Sequence, residues 1–271
     1  MLTTNQSNKI YYTLRIASAM CFIGHGAFGI ITKEIWCNYF GVFGFSHDAA
    51  YALMPYVGVI DICFGLLILT YPLRIVFGWL IIWGCLTAFL RPLSGEPFAE
   101  FIERAGNFGA PLALLLLTHR NEKSKWFKPV AINDIQINEA TFKRVQICLR
   151  IVVFLLFIGH GWLNIIEKKS LLDQYRAIGF SNVSNAAHVI GSVEILAAFS
   201  VLLRPLQPVI FLLFTWKAAS ELFYPHWELF EWIERAGSYG SILALWFLTS
   251  ASNQLSFTSK KNKHNIRNLA A

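Results

Sequence analysis

Stretches of about twenty almost wholly apolar residues recur along this chain, and that is the length that crosses the hydrocarbon core of a bilayer. Reading from one charged or Pro/Gly-marked break to the next gives eight of them, over about 12–31, 52–70, 75–92, 101–118, 147–166, 184–203, 207–224 and 230–249. Tyr71-Pro72 and Arg204-Pro205 mark two of the turns, and the fourth and eighth runs each carry a Glu-Arg pair near the start. Charged residues make up 14% of the sequence and hydrophobic ones 55%, whereas a soluble domain carries about 25% charged residues to cover its surface. The expected fold is therefore an all-α integral membrane protein of about eight transmembrane helices. The first apolar run continues to Ile31 with no small-residue cleavage site, so it is expected to be a spanning helix rather than a removed signal peptide.

The net charge of +7 does not point to nucleic acid, because no RNA- or DNA-binding motif accompanies it. Fifteen of the 23 Lys and Arg residues fall in the N-terminal segment, the 2–3, 4–5 and 6–7 loops and the C-terminal tail. Most acids, including Glu34, Asp48, Glu96, Glu100, Glu167 and Glu228, fall on the opposite side. Basic loops stay in the cytoplasm, so both termini are expected there, in a bacterial plasma (inner) membrane. Cys21, Cys37, Cys63, Cys85 and Cys148 form no CxxC pair and read as free thiols.

The first four runs return as the last four. Leu14–Ile31 matches Leu149–Ile166 at ten of eighteen positions, including FIGHG at Phe22–Gly26 and Phe157–Gly161. Gly58, Asp61, Pro72 and Trp83 recur at one constant spacing as Gly191, Glu194, Pro205 and Trp216, and FIERAGNFG at 101–109 returns as WIERAGSYG at 232–240. A duplicated four-helix unit accounts for this order. The expected division is a first repeat at 1–118, a cytoplasmic linker at 119–146, a second repeat at 147–250 and a basic polar tail at 251–271. Four spans per unit is an even number, so both repeats enter from one side and are expected to be parallel, related by a pseudo-twofold along the membrane normal.

Ionisable residues within apolar runs are costly and mark candidate sites. They are His25 and His160, Asp61 and Glu194, Glu103-Arg104 and Glu234-Arg235, and, in the second half alone, Lys217 and Glu221 one turn apart, followed by His226. Three roles fit a histidine between two glycines: bonding a neighbouring helix in a tight contact, handling a proton or ligand in a pocket, or ligating haem. No second ligand lies at i+3 or i+4 of either histidine, so no metal site is expected. The Glu-Arg pairs read either as interfacial anchors, with the arginine snorkelling, or as structural ion pairs at a pocket rim. Lys217 and Glu221 read as a self-neutralising bridge, or as the lining of a hydrated cavity with His160 and Glu194. The second of these makes the C-terminal half the expected site.

The motifs LRIASAMCFIGHG and LRIVVFLLFIGHG, followed by GVID at 58–61 and GSVE at 191–194, resemble the DoxX-like superfamily of four-helix membrane proteins. That pattern has an arginine in helix 1, a Phe-x-x-His-Gly step and a Gly-x-x-(Asp/Glu) helix 2. The likeness is best in helices 1, 2, 5 and 6; the duplication within one chain and the Glu-Arg start of helix 4 depart from it. The resemblance implies membrane redox complexes, one of which includes a quinone-reducing thiosulfate oxidase subunit. It therefore implies an accessory or binding subunit, with quinone or haem as the cofactors to consider. The lipid bilayer, a redox partner protein and a small hydrophobic ligand are the partners it implies. A small-solute transporter and a scaffold without chemistry are the alternatives. No Rossmann fingerprint, P-loop or CxxCH motif is present.

Overall fold

A computed structural model describes residues 4–118, 125–132, 135, 137–223 and 229–269, with the side chains of 223 and of 253 onward outside that description. These residues are all-helical, with one isolated backbone bridge, Leu73 to Pro129, and no strand among them. The helices are α1 (Thr4–Ile30), α2 (Trp36–Gly41), α3 (His47–Thr70), α4 (Arg74–Leu93), α5 (Ala99–Glu103) and α6 (Ala105–Thr118). They continue as α7 (Glu139–Ile165), α8 (Lys169–Ala177), α9 (Val183–Leu203), α10 (Gln207–Ser220), α11 (Leu229–Glu234) and α12 (Ala236–Leu269).

Among the described residues, five helices are long and apolar enough to cross a membrane: α1, α3, α4, α7 and α9. The expected fourth run is instead broken at Arg104 into α5 and α6, and the eighth at Arg235 into α11 and α12. The expected seventh is the 14-residue α10, which passes into a 3-10 turn at Glu221–Phe223. Apolarity also misplaced some ends. Asn138 caps α7 by accepting from the Thr141 amide at 2.8 Å, so this helix starts at Glu139 and two polar turns precede the run expected from 147. The segment expected as a basic polar tail continues α12 to Leu269.

α1 lies along α3 and α7 along α9, while α1, α6, α7 and α12 pack on one another in the middle. α4 packs on α6, and α10 on α12. Burial follows this order: 61% and 56% of the apolar windows of α1 and α7 are buried, against 28%, 33% and 33% in α3, α4 and α9. The outer helices expose Ile60, Ile82, Val193, Leu196 and Leu212, a surface suited to lipid rather than water.

The repeated arginine of helix 1 closes the neighbouring helix. Arg15 donates from Nε to Ile68 O at 2.8 Å and from Nη2 to Leu69 O at 2.6 Å, at the end of α3. Arg150 donates likewise to Val201 O at 3.3 Å, Leu203 O at 3.0 Å and Leu202 O, at the end of α9. The last carbonyls of a helix have no partner within it, and a planar guanidinium answers two at once.

The linker is not only polar. Val130, Ile135 and Ile137 are buried in the main apolar core, and the Val130 amide bonds Pro72 O at 2.9 Å. Residues 119–124, 133, 134 and 136 of this linker lie outside the described residues, as do 224–228, which include His226 and Glu228. All five cysteines are free.

Candidate functional site

The two glycines of each FIGHG face different neighbours. A Cβ on Gly24 would collide with the backbone nitrogen of Glu234, and one on Gly159 with that of Glu103. Each thus seats the Glu-Arg break of the other half of the chain. The second glycine packs within its own half: a Cβ on Gly26 would stand 2.5 Å from Gly58 O, and one on Gly161 2.8 Å from Gly191 O. Small residues let helix backbones approach this closely, and the histidine between them is held at a junction of three segments.

In the second half the histidine belongs to a closed polar network. His160 Nδ1 lies 2.7 Å from Glu194 Oε2, and Asn164 Nδ2 donates to the same oxygen at 3.1 Å. Trp216 Nε1 donates to Glu194 Oε1 at 2.7 Å, and the Tyr175 hydroxyl to Asn164 Oδ1 at 2.6 Å. Both carboxylate oxygens are engaged, as a buried acceptor requires.

The first half repeats the pair but not the closure. His25 Nδ1 lies 2.7 Å from Asp61 Oδ2, and its ring packs against Trp36 with centroids 4.6 Å apart. Asp61 Oδ1 and Trp83 Nε1 are buried with no hydrogen-bond partner; aspartate is one methylene shorter than Glu194, which reaches Trp216. Asn107 Oδ1 is buried and unpartnered as well.

A cavity of about 100 Å³ opens here, lined by His25, Trp36, Trp83, Asn107, Arg104 and Glu234 among others. Tyr39 and Arg91 also border it. The Tyr39 hydroxyl donates to Glu96 at 2.6 Å, and burial raises the pKa of its phenol, which keeps it a donor. A larger apolar groove of about 630 Å³ runs along α1, α10 and α12, lined by Ile16, Met20, Phe214 and Leu243.

The Glu-Arg pairs meet in one buried ion network. Glu103 Oε1 accepts from Arg235 Nη1 at 3.0 Å and Lys217 Nζ at 3.3 Å, and Oε2 from Arg104 Nη1 at 3.1 Å. Arg104 also pairs with Glu100, as does Lys168, and Lys217 lies 2.5 Å from Glu221. Arg104 and Arg235 are 5% and 7% exposed, so neither snorkels to the surface as an interfacial anchor would. The breaks at 104 and 235 make this possible. At both, the chain turns on i to i+3 bonds, Asn107 N to Arg104 O and Ser238 N to Arg235 O, each 2.9 Å. The two broken helices cross where a Cβ on Gly106 would stand 2.5 Å from Ser238 Cα.

The structure therefore brings Glu103, Arg104, Lys217, Glu221 and Arg235 into one cluster, with Glu234 facing His25 across the cavity. His160 and Glu194 are joined in their own hydrogen-bond network beside this cluster, and Lys217 is fully buried in ion pairs rather than lining the cavity. The cavity thus lies beside His25, in the first half, where the sequence pointed to the second. Trp83, Asn107 and Asn164 were not expected at the site. The recurrence of Trp83 as Trp216 was the one signal for them, because their other contacts cross between helices far apart in sequence.

Comparison of the chain with family models, with curated proteins and with solved structures finds no match.

Proposed function

We propose that the chain is an integral membrane protein of the DoxX-like kind that binds a small ligand in the cavity beside His25. It serves as an accessory or binding subunit of a membrane redox system rather than as a self-sufficient enzyme. The observation that carries this reading is the set of buried, unpartnered polar atoms Asp61 Oδ1, Trp83 Nε1 and Asn107 Oδ1 at and beside one cavity. Native proteins leave few such atoms unsatisfied, and a ligand supplies the missing partners. The hydrogen-bonded His25–Asp61 pair gives the site an imidazole that can accept and pass on a proton.

Two parallel four-helix repeats with cytoplasmic termini remain part of the proposal. The matched contacts of Gly24 with Glu234 and of Gly159 with Glu103 support it. Quinone is the first ligand to test, because the resemblance implies it. Trp83 offers its free N–H to a carbonyl. Haem held by both histidines fits less well, since His25 lines the cavity and His160 does not.

The test is organic extraction of the purified protein, an optical spectrum, and tryptophan fluorescence during titration with a short-chain quinone. Expected are a co-purifying ligand or saturable quenching, weakened in Trp83→Phe. An empty extract, a featureless spectrum and no quenching would overturn the reading and favour a scaffold.

A further inference from the structure

The apolar groove along α1, α10 and α12 changes character from one end to the other. α1 and α10 both pack on α12, and the groove is the cleft left between them. Its lining on α1 recurs every three to four residues from Asn5 to Met20, which is one continuous face of a helix. Asn5, Asn8 and Lys9 come first, Tyr12 and Thr13 follow, and Ile16, Ala17 and Met20 complete it. α10 adds Phe214 and Ala218, and α12 adds Gly240, Leu243 and Phe247. Trp232 and Tyr239 also line the groove, but their polar groups are engaged. The Trp232 indole donates to Ala218 O at 3.1 Å and the Tyr239 hydroxyl to Trp232 O at 3.0 Å.

This order of polar, amphipathic and apolar lining is the order of a membrane lipid from head group to chain. Its length agrees: at about 1.5 Å per residue the face from Asn5 to Met20 is about 22 Å long, half of the about 40–45 Å of a bilayer with its head groups. The charge at the polar end is of one sign. No acid lines the groove, and Lys9 makes no ion pair among the described residues. Its ammonium stands 5.9 Å from the centroid of the Phe247 ring. Asn8 Oδ1, at the same end, is buried without a donor. Beyond Phe247, α12 continues to Leu269 through Lys260, Lys261, Lys263 and Arg267. Basic clusters next to a membrane attract anionic head groups.

We infer that the groove holds one anionic glycerophospholipid, its phosphate against Lys9 and one acyl chain laid along Ile16 and Met20 beside Phe214 and Leu243. The inference rests on the reading of the chain as an integral membrane protein and is independent of the cavity beside His25. A volume of about 630 Å³ falls within the about 300–1,000 Å³ of ligand pockets. Phosphatidylglycerol matches the polar end in two ways: its net negative charge faces Lys9, and its head-group hydroxyls supply the donor that Asn8 Oδ1 lacks. Phosphatidylcholine has neither a net charge nor an N–H or O–H in its head group, so it is the matched control.

The test uses the full-length protein, delipidated in detergent and titrated in mixed micelles with either lipid carrying the same acyl chains. Native mass spectrometry counts the lipid retained. Expected is one phosphatidylglycerol per chain, held roughly tenfold or more tightly than phosphatidylcholine. The preference should vanish in Lys9→Gln, with an unchanged melting profile, and persist in Lys9→Arg. Ala218→Phe, which puts a ring where the acyl chain lies, should weaken retention of both lipids.

Equal retention of the two lipids, or an undiminished preference in Lys9→Gln, would overturn the head-group site. Full retention in Ala218→Phe would overturn the placing of the chain. A protein that resists alkaline extraction from membranes yet retains no lipid would overturn this inference and leave the membrane reading standing. Release by the alkaline wash would overturn both.

Discussion

The indole N–H of Trp216 donates to Glu194 Oε1 at 2.7 Å, while Nε1 of its counterpart Trp83 is buried with no acceptor. One oxygen of Asp61, the counterpart of Glu194, is likewise buried without a donor. One methylene separates the two situations. Glu194→Asp should leave the Trp216 N–H orphaned and lower stability by about 1–3 kcal/mol, the cost of an unsatisfied buried donor. Thermal unfolding in detergent reads the change. Asp61→Glu should restore the missing contact to Trp83 and leave the melting temperature unchanged or higher.

Gly159 meets the Glu103 backbone so closely that no side chain fits between them, and Gly24 meets Glu234 in the same way. Gly159→Ala and Gly24→Ala should each destabilise by at least the roughly 1–3 kcal/mol of an overpacked core. Backbone is the obstacle here, and it cannot rotate away. Gly41→Ala, in a helix with nothing within 4 Å of the new methyl, is the matched control. It should be neutral or slightly stabilising, because alanine is the better helix former.

Lys217 offers a double-variant comparison. Lys217→Met leaves Glu221 only the longer pairing with Arg235 at 3.9 Å and removes one partner of Glu103, a loss of up to about 3–5 kcal/mol for a broken buried pair. Lys217→Met/Glu221→Leu removes both charges and should recover most of that stability, since Glu103 keeps Arg235 and Arg104. Melting curves of the single and double variants separate the cost of an unpaired charge from the worth of the pair.

Arg150 bonds three carbonyls at the end of α9. Arg150→Lys keeps the charge but loses the fork, and should cost roughly 1.5–3 kcal/mol, the range for hydrogen bonds to charged groups. Equal stability of the lysine variant would show that charge near the helix end suffices.

Much of this architecture was legible in the chain. The starts of α3, α4, α9 and α10 fall within five residues of the apolar runs that announce them, because burial along a helix needs a contiguous apolar segment. The halves, the paired histidines and the Glu-Arg recurrences are plain in the repeat. The starts of α1 and α7 were less legible, since polar turns precede their apolar runs. Helix breaks at Arg104 and Arg235 were illegible for another reason. They serve an ion network in which Glu103 meets Lys217 and Arg235, more than a hundred residues away.

By itself, then, the sequence determined an all-helical chain with apolar segments of bilayer length and a histidine and carboxylate recurring in each half. Tertiary structure decided how those groups are spent. It joined each histidine to the carboxylate of its own half and seated each FIGHG on the Glu-Arg break of the other. It also left a cavity beside Ala88, the counterpart of Glu221, while Gly84, the counterpart of Lys217, packs on the Asn107 backbone. The substitutions are visible in the letters. Whether they fill a space or leave one depends on Asn107 and Glu234, which reach the site from other helices, and only packing brings those together.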